Sequence, residues 1–289
     1  MRALMAHHPK SAVSKAAVSE PPLSFYLGIV LVTAVVLAAL FAPWLAPYQE
    51  AQFVGGVWDP PSAATWLGTD NDGRDMLTRL MFGTRTTVSI ALAATLLAVA
   101  LGATLGLLAA AVGGWVDALL SRCVDIVLAI PVLISALMVL SVLGTSTPVL
   151  IGTIGLLEST RVYFVARAVA RSVNVNPYVS VARLRGEGLG WIMMHEILPN
   201  ALPPLIAESG LRFCFIFLFI ASLSFLGLGV QPPTADLGSM VRENAQAINF
   251  GLYAPLYPAG AIAVLTVGIN LIVDWMLAAH ASPAGTADL

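Results

Sequence analysis

Lysine is almost missing from this chain of 289 residues: only Lys10 and Lys15 occur, both in an amino-terminal stretch without glycine. A phosphate-cradling P-loop needs a lysine directly after a glycine-rich turn, so the chain is not a Walker-type ATPase. Charge of either sign is scarce, at 10% of residues, against roughly a quarter in soluble domains. The net charge of −2 leaves no basic footprint for nucleic acid. Cysteine is limited to Cys123 and Cys214, in or beside apolar runs. Neither has a Cys or His neighbour at metal-ligand spacing, so both are expected to be buried, inert thiols. The histidines His7, His8, His195 and His280 form no HExxH or related zinc pattern.

What the chain has in abundance is apolar side chains, 58% of the total, with a mean hydropathy of +0.87. This is the composition of an integral membrane protein, in which each helical crossing takes about 20 mainly apolar residues. Six windows qualify, at 24–46, 87–112, 120–143, 148–168, 201–229 and 254–278. The class is therefore all-α, a polytopic membrane protein with about six transmembrane helices. The first window, after a polar tail at 1–23, is longer than a signal-peptide core of about 7–15 residues and reads as an uncleaved span. Pro43, Trp44, Pro47 and Tyr48 mark its end, where helices stop and aromatic rings favour the interface. Glu158 and Arg161 interrupt the fourth window, where a break or a water-facing surface is expected.

Six spans place both termini on one side, and the basic residues indicate which. With the termini cytoplasmic, Arg2, Lys10, Lys15, Arg122, Arg167, Arg171, Arg183 and Arg185 lie inside. Only Arg74, Arg79, Arg85 and Arg242 lie outside, with Arg161 and Arg212 within spans. This follows the positive-inside rule. Gly102 and Gly106 form a GxxxG, extended by Ala98, which suits either packing within the chain or dimerisation. Pro131 within the third window predicts a local kink.

Two weak matches to other chemistries fail on detail. Gly227-Leu-Gly229 begins like a dinucleotide fingerprint, but Pro232 holds the third glycine position and no βαβ unit surrounds it. The acidic run around Asp70 and Asp72 has its Gly73 at loop position four rather than six, and Met81 where a calcium loop needs a bidentate Glu. No metal site is expected.

Two segments carry more. Residues 178–200 form a mixed polar and apolar stretch between two hydrophobic spans; Ser180, Val181, Ala182, Gly186, Leu198, Pro199 and Asn200 fall on the Glu-Ala-Ala, three residues, Gly, spacer, Leu-Pro pattern of a coupling loop. The segment before the second span holds Gly68, Thr69, Asp70, Gly73, Arg74, Asp75, Arg79, Gly83, Arg85 and Ser89. Together with Gly113 to Asp117, Arg122 to Asp125, Ala129 to Pro131, Ser222 to Thr234 and Gly238 to Met240, the chain resembles the C-type permease of dipeptide, oligopeptide and nickel ABC importers. The likeness spans nearly everything after residue 23. It departs where Ser180 replaces the Glu, where Arg185 replaces an apolar residue, and near the carboxyl end. There Asn270 and Asp274 remain without the family's Gly-Asp-Gly and Asp-Pro-Arg pieces.

The resemblance implies the type I ABC importer permease fold in a bacterial inner membrane. It also implies a second homologous permease, two cytoplasmic ABC ATPases and a periplasmic solute-binding protein as partners. ATP and Mg would sit on those ATPases, with no cofactor on this chain and no bond chemistry by its residues. The divisions that follow are a tail at 1–23, a span at 24–46, a periplasmic segment at 47–86, a permease core at 87–280 with a coupling loop at 172–200, and a tail at 281–289. In the coupling loop Tyr178, Ser180, Val181, Ala182, Arg183, Gly186, Leu198 and Pro199 would meet the ATPase. Tyr178, Ala182 and Gly186 are spaced for one helical face, Arg183 and Arg185 are placed for acidic groups or anionic headgroups, and Pro199 ends the segment.

On local chemistry the same stretch also suits a lipid-bound interfacial helix anchored by Trp191, Ile192, Met193 and Met194. In the outer segment Asp70 and Asp75 can cap a helix while Arg74, Arg79 and Arg85 stay at the water interface. That segment is either a structural re-entry or a substrate contact. Alternatives to the peptide importer are an importer of nickel or another solute, an independent channel or carrier using Glu158, Arg161, Arg212 and Asp274, and a scaffolding subunit.

Overall fold

The computed structural model describes residues 21–280; the expected tails, with Arg2, Lys10 and Lys15, lie almost wholly outside them. The helices in chain order are α1 (Leu23–Leu40), α2 (Ala42–Leu45), α3 (Met76–Val112), α4 (Gly114–Leu128), α5 (Val132–Leu143), α6 (Thr147–Asn174), α7 (Pro177–Leu184) and α8 (Leu189–Ile192). A π-helical turn, Met193–Ile197, leads into α9 (Leu198–Phe225); α10 (Leu237–Glu243), a 3₁₀ turn at Ala245–Phe250 and α11 (Leu256–His280) complete the order. Among the described residues extended pairing is limited to the isolated bridges Phe53 to Arg74 and Thr69 to Asp75. Five helices are long and apolar enough to cross a membrane, and the bent α4–α5 pair makes a sixth if counted as one span.

The bundle is organised on α3 and α6. In lipid no hydrophobic force drives helices together, so close backbone approach through small residues has to supply the packing. Gly102 and Gly106 supply it: a Cβ on Gly102 would lie 2.4 Å from the Ser159 carbonyl oxygen, and one on Gly106 would lie 2.6 Å from that of Tyr163. The GxxxG thus packs within the chain. Around this seam Ile90, Ala94 and Ala98 of α3, Leu150 and Ile154 of α6, and Ile216, Phe217 and Ile220 of α9 build the main apolar core. On the outer flank α1 meets α11, where Gly28 and Gly268 face each other.

Four sequence expectations change here. The second span begins at Met76 rather than near residue 87, because Asp75 caps the helix through its side chain, 2.8 Å from the Thr78 N–H. The third window holds two helices meeting at 82°, more than a kink. Pro131 lacks the N–H that would continue α4, and it serves instead as the N-cap residue of α5. The fourth window is an unbroken helix, so of the break or water-facing surface expected at Glu158 and Arg161 only the exposed Arg161 side chain remains. Cys123 is exposed on α4, while Cys214 is buried.

Replacing Gly102 or Gly106 by Val is expected to force α3 from α6 at a cost of about 1–3 kcal/mol each. Thermal unfolding in detergent checks this: both variants melt below wild type, and Gly152→Val, whose Cβ meets open space, does not.

Candidate functional site

Two polar constructions sit at opposite ends of α3, which is about 55 Å long at about 1.5 Å per residue. At its amino end, residues 48–75 fold against 235–254. Gly68 and Gly73 adopt φ of +76° and +79° in spaces where a Cβ would fall within 2.4 and 2.3 Å of carbonyl oxygens of Asp59 and Gly55. Only glycine fits such turns. Thr69 Oγ1 accepts from the Asp59 N–H at 2.7 Å and donates to the Gly56 carbonyl at 2.6 Å. These turns deliver Asp70 into the interior, where it pairs with Arg74 at 2.9 Å and with Arg79. Glu243 of α10 completes the cluster, 3.1 Å from Arg79.

Arg79 is 0% exposed and Arg74 is also buried, so these arginines do not hold a water interface as the sequence suggested; each is drawn inward by a buried carboxylate. Arg85 does remain exposed. Asp75 is the helix cap, whereas Asp70 is an ion-pair centre. Burial alone would raise the Asp70 carboxyl, but the Arg74 N–H, the Arg79 guanidinium and the Asp72 N–H hold it below the ordinary aspartate range.

Gly83 lets α10 approach α3, with a Cβ there only 3.0 Å from Met240 Sδ. Asp236 caps α10 through the Ser239 N–H at 3.0 Å and accepts from Thr87 Oγ1 at 2.7 Å. Asn244 binds both the Trp58 indole N–H and the Asn71 N–H. Gly68, Thr69 and Gly73 thus shape the turns of this cap, while Asp70, Arg74, Asp75, Arg79 and Gly83 join it to α3 and α10.

At the other end of α3, α7 is a detached helix of eight residues. Val179 and Ala182 are 0% exposed and pack with Leu107, Ala110 and Ala111 of α3, Ala166 and Ala170 of α6, and Ala201 and Leu205 of α9. The outward arc carries Tyr178, Val181 and Leu184, exposed to 41, 52 and 88%, with Ser180 and Arg185 also outside. Gly186 is not on the face of Ala182. It stands beyond the helix at φ +84°, donating to the Arg183 carbonyl at 3.0 Å, while Glu187 N–H reaches the Ala182 carbonyl at 3.2 Å. This pair of bonds is a Schellman stop, for which the left-handed residue is normally glycine.

Arg183 is exposed but reaches back to the helix ends. It donates to the Ala111 carbonyl at 3.3 Å and to Asn174 Oδ1 at 2.8 Å, tying α7 to the ends of α3 and α6. Arg185 keeps its outward position. Pro199 does not end the segment: it lies in the first turn of α9, and Pro203 and Pro204 lie inside that helix. A wide π turn at Met193–Ile197 leads into it, with the Leu198 N–H reaching the Met193 carbonyl. Leu198 is partly buried beneath α7. Of the four anchors for a lipid-only helix, Ile192 is buried and Trp191 and Met193 pack on the core, leaving Met194 exposed. Sequence reasoning missed Leu184, the most exposed apolar side chain of α7, because no motif marks it.

Nearby, Asp117 at the start of α4 receives both Arg167 and Arg171 of α6, and Tyr163 and Ser121 bond at 2.9 Å. Of the four ionisable span residues, Glu158 pairs with Arg212 at 3.1 Å and lies 3.8 Å from Arg161. Glu208 joins Arg212 at 2.7 Å. Asp274 is exposed on α11 and outside this cluster.

Comparison with known proteins adds to this geometry. The family model described as the inner membrane component of binding-protein-dependent transport systems matches residues 102–282. The dipeptide transport system permease protein DppC of Alkalihalophilus pseudofirmus is 34% identical over 249 residues, 86% of this chain and 82% of that protein. The di/tripeptide transport system permease protein DppC of Pseudomonas aeruginosa is 35% identical over 254 residues, 86% and 84% of the two chains. The probable D,D-dipeptide transport system permease protein DdpC of Escherichia coli is 33% identical over 249 residues, 85% and 83%. Among solved structures, a crystal structure of an amino acid ABC transporter with histidines aligns at a TM-score of 0.48 and 20% identity, over 68% of this chain and 91% of that one.

Two outcomes are expected from these sites. Gly186→Val strains the left-handed stop by about 1–2 kcal/mol, whereas Gly186→Asn adopts it readily. Trypsin cleavage at Arg183 and Arg185 should rise in the first variant and stay near wild type in the second. The Asp70 carboxyl is depressed in the fold, so its contribution is complete above the unfolded value near 3.8 and is lost as pH falls through the folded value. Asp70→Asn, leaving Arg79 undercompensated, is expected to cost about 3–5 kcal/mol at pH 7. Thermal melts from pH 7 to 3 should show the gap between the two proteins closing in acid.

Proposed function

The chain belongs to the family of inner membrane components of binding-protein-dependent transport systems, and we propose that it moves short peptides as the permease subunit of an ABC importer. The peptide cargo is supported by relatives named for dipeptide and di/tripeptide transport that align over most of both chains. ATP and Mg belong to separate ATPase subunits, and no residue of this chain performs bond chemistry. A second permease, two ATPases and an external binding protein complete the assembly. The distribution of Lys and Arg supports cytoplasmic termini, which puts α7 on the ATPase side and the Asp70 cap on the periplasmic side.

The observation that carries this reading is the two-sidedness of α7. Its inner face is buried at Val179 and Ala182 in an apolar cluster that also holds residues of α3, α6 and α9, and its outer face presents Tyr178, Val181 and Leu184 bare. A partner pressing on that apolar face moves three spans together, since close-packed interiors transmit displacement rather than absorb it. In the proposed cycle ATP binding draws the ATPases together, the α7 helices move with them, and the spans open outward to receive peptide. Ser180 stands on the exposed side, so the missing family carboxylate removes a charge at the contact and leaves its apolar part in place.

The tagged chain, purified from native membranes in mild detergent, is expected to bring a second permease and ABC ATPases, identified by mass spectrometry. Leu184→Glu should release the ATPases and retain the permease partner. Recovery of the chain alone, in a preparation that preserves a known ABC complex, would sink this function in favour of an independent channel or carrier.

A further inference from the structure

Arg161 occupies an improbable place for a membrane helix. It lies near the middle of α6, 14 residues after Thr147 and 13 before Asn174, about 20 Å from either end at about 1.5 Å per residue. Its side chain is nonetheless 51% exposed. A guanidinium at that depth is too far from either surface to snorkel, and ionisable groups within spans face the bundle interior or a water-filled cavity. Its immediate surroundings are of that kind. A cavity of about 100 Å³ opens beside it, walled by Arg161, Leu157 and the interrupted backbone from Val127 to Val132. The α4–α5 break exposes irregular backbone at membrane depth, which persists where it lines a wet cavity or is covered by protein.

The neighbouring charges leave the hydrogen-bond donors of Arg161 uncommitted. Glu158 is held by Arg212 at 3.1 Å, and Arg212 is held in turn by Glu208 at 2.7 Å and stacks on the Phe215 ring at 4.8 Å. Arg161 Nε is 3.8 Å from Glu158, beyond hydrogen-bond reach. Glu158 and Glu208 carry two negative charges against the one positive charge of Arg212, so Arg161 balances the set by charge at 3.8 Å, while its fork of donors makes no hydrogen bond and stays open to another carboxylate.

We propose that Arg161 and the α4–α5 break line the translocation route, and that Arg161 receives the carboxylate end of the passing peptide. Glu158, 3.8 Å from its Nε, is a positioning residue for it. This assignment rests on the peptide-importer reading above.

The complete importer, reconstituted in liposomes with its ATPases, second permease and binding protein, is tested with dialanine as probe. Arg161→Gln is expected to lower dialanine uptake at least tenfold while ATPase stimulation by the loaded binding protein stays within twofold, and Arg161→Lys to restore a large part of the uptake. In a Cys123→Ser, Cys214→Ser background, Arg161→Cys should react with a membrane-impermeant cationic thiosulfonate at least tenfold faster than Leu156→Cys on the same helix. Normal uptake by Arg161→Gln, equal loss of uptake and ATPase stimulation, or an unreactive Arg161→Cys would each overturn the proposal. A wild-type importer that ignores dialanine, with a reactive Arg161→Cys, would instead refute the peptide cargo and retain the wet route.

Discussion

Close contact between α3 and α6 at Gly102 and Gly106 is the constraint on which the other features depend. Each glycine admits a main-chain carbonyl of the partner helix where any side chain would collide. Because lipid tails offer apolar helices no incentive to associate, this geometric fit, summed over many weak dispersion contacts, holds the pair. Both functional ends are then mounted on one rigid column. The Asp70 cap is built on the first turns of α3, and α7 rests on its last ones through Ala110 and Ala111.

The two ends use opposite chemistry for reasons of solvent. At the Asp70 end, buried charges are matched one to another across α3 and α10, with glycine turns carrying the carboxylate to the arginines. Such a network favours a single geometry, since a displaced member would strand a charge. At the α7 end, small apolar residues make the joint, and Arg183, Asn174 and Asn176 add hydrogen bonds to helix-end carbonyls. The first arrangement suits a cap that keeps its shape. The second leaves a short helix with an unclaimed apolar side.

Between them the charged residues of the spans fall into two groups. Glu158, Glu208 and Arg212 form ion pairs that stitch α6 to α9. Arg161 stands apart from hydrogen-bonding reach and beside a broken span. The contrast between a paired set and a guanidinium with open donors gives the two groups different work, although in the sequence they are equally plain interruptions of apolar runs.

Composition and periodicity alone determined the class, the number of apolar windows and the membrane setting, because a span must meet a length and hydropathy requirement that depends on no distant residue. The ordered motifs were enough to suggest the family and the segment at 172–200. The directions of side chains were another matter. Tyr178, Ala182 and Gly186 share a helical spacing, but the helix stops at Leu184, and only the Schellman bonds show that Gly186 is a terminator. Arg74 and Arg79 read as surface charges until the turns at Gly68 and Gly73 bring Asp70 to them and α10 brings Glu243, which is 164 residues from Arg79 in the chain. Prolines at 131, 199, 203 and 204 look alike in sequence. One of them stands at the break in a span and the others lie inside a helix. Tertiary structure decided these points because burial, pairing and exposure are properties of neighbours in space, which local pattern does not contain.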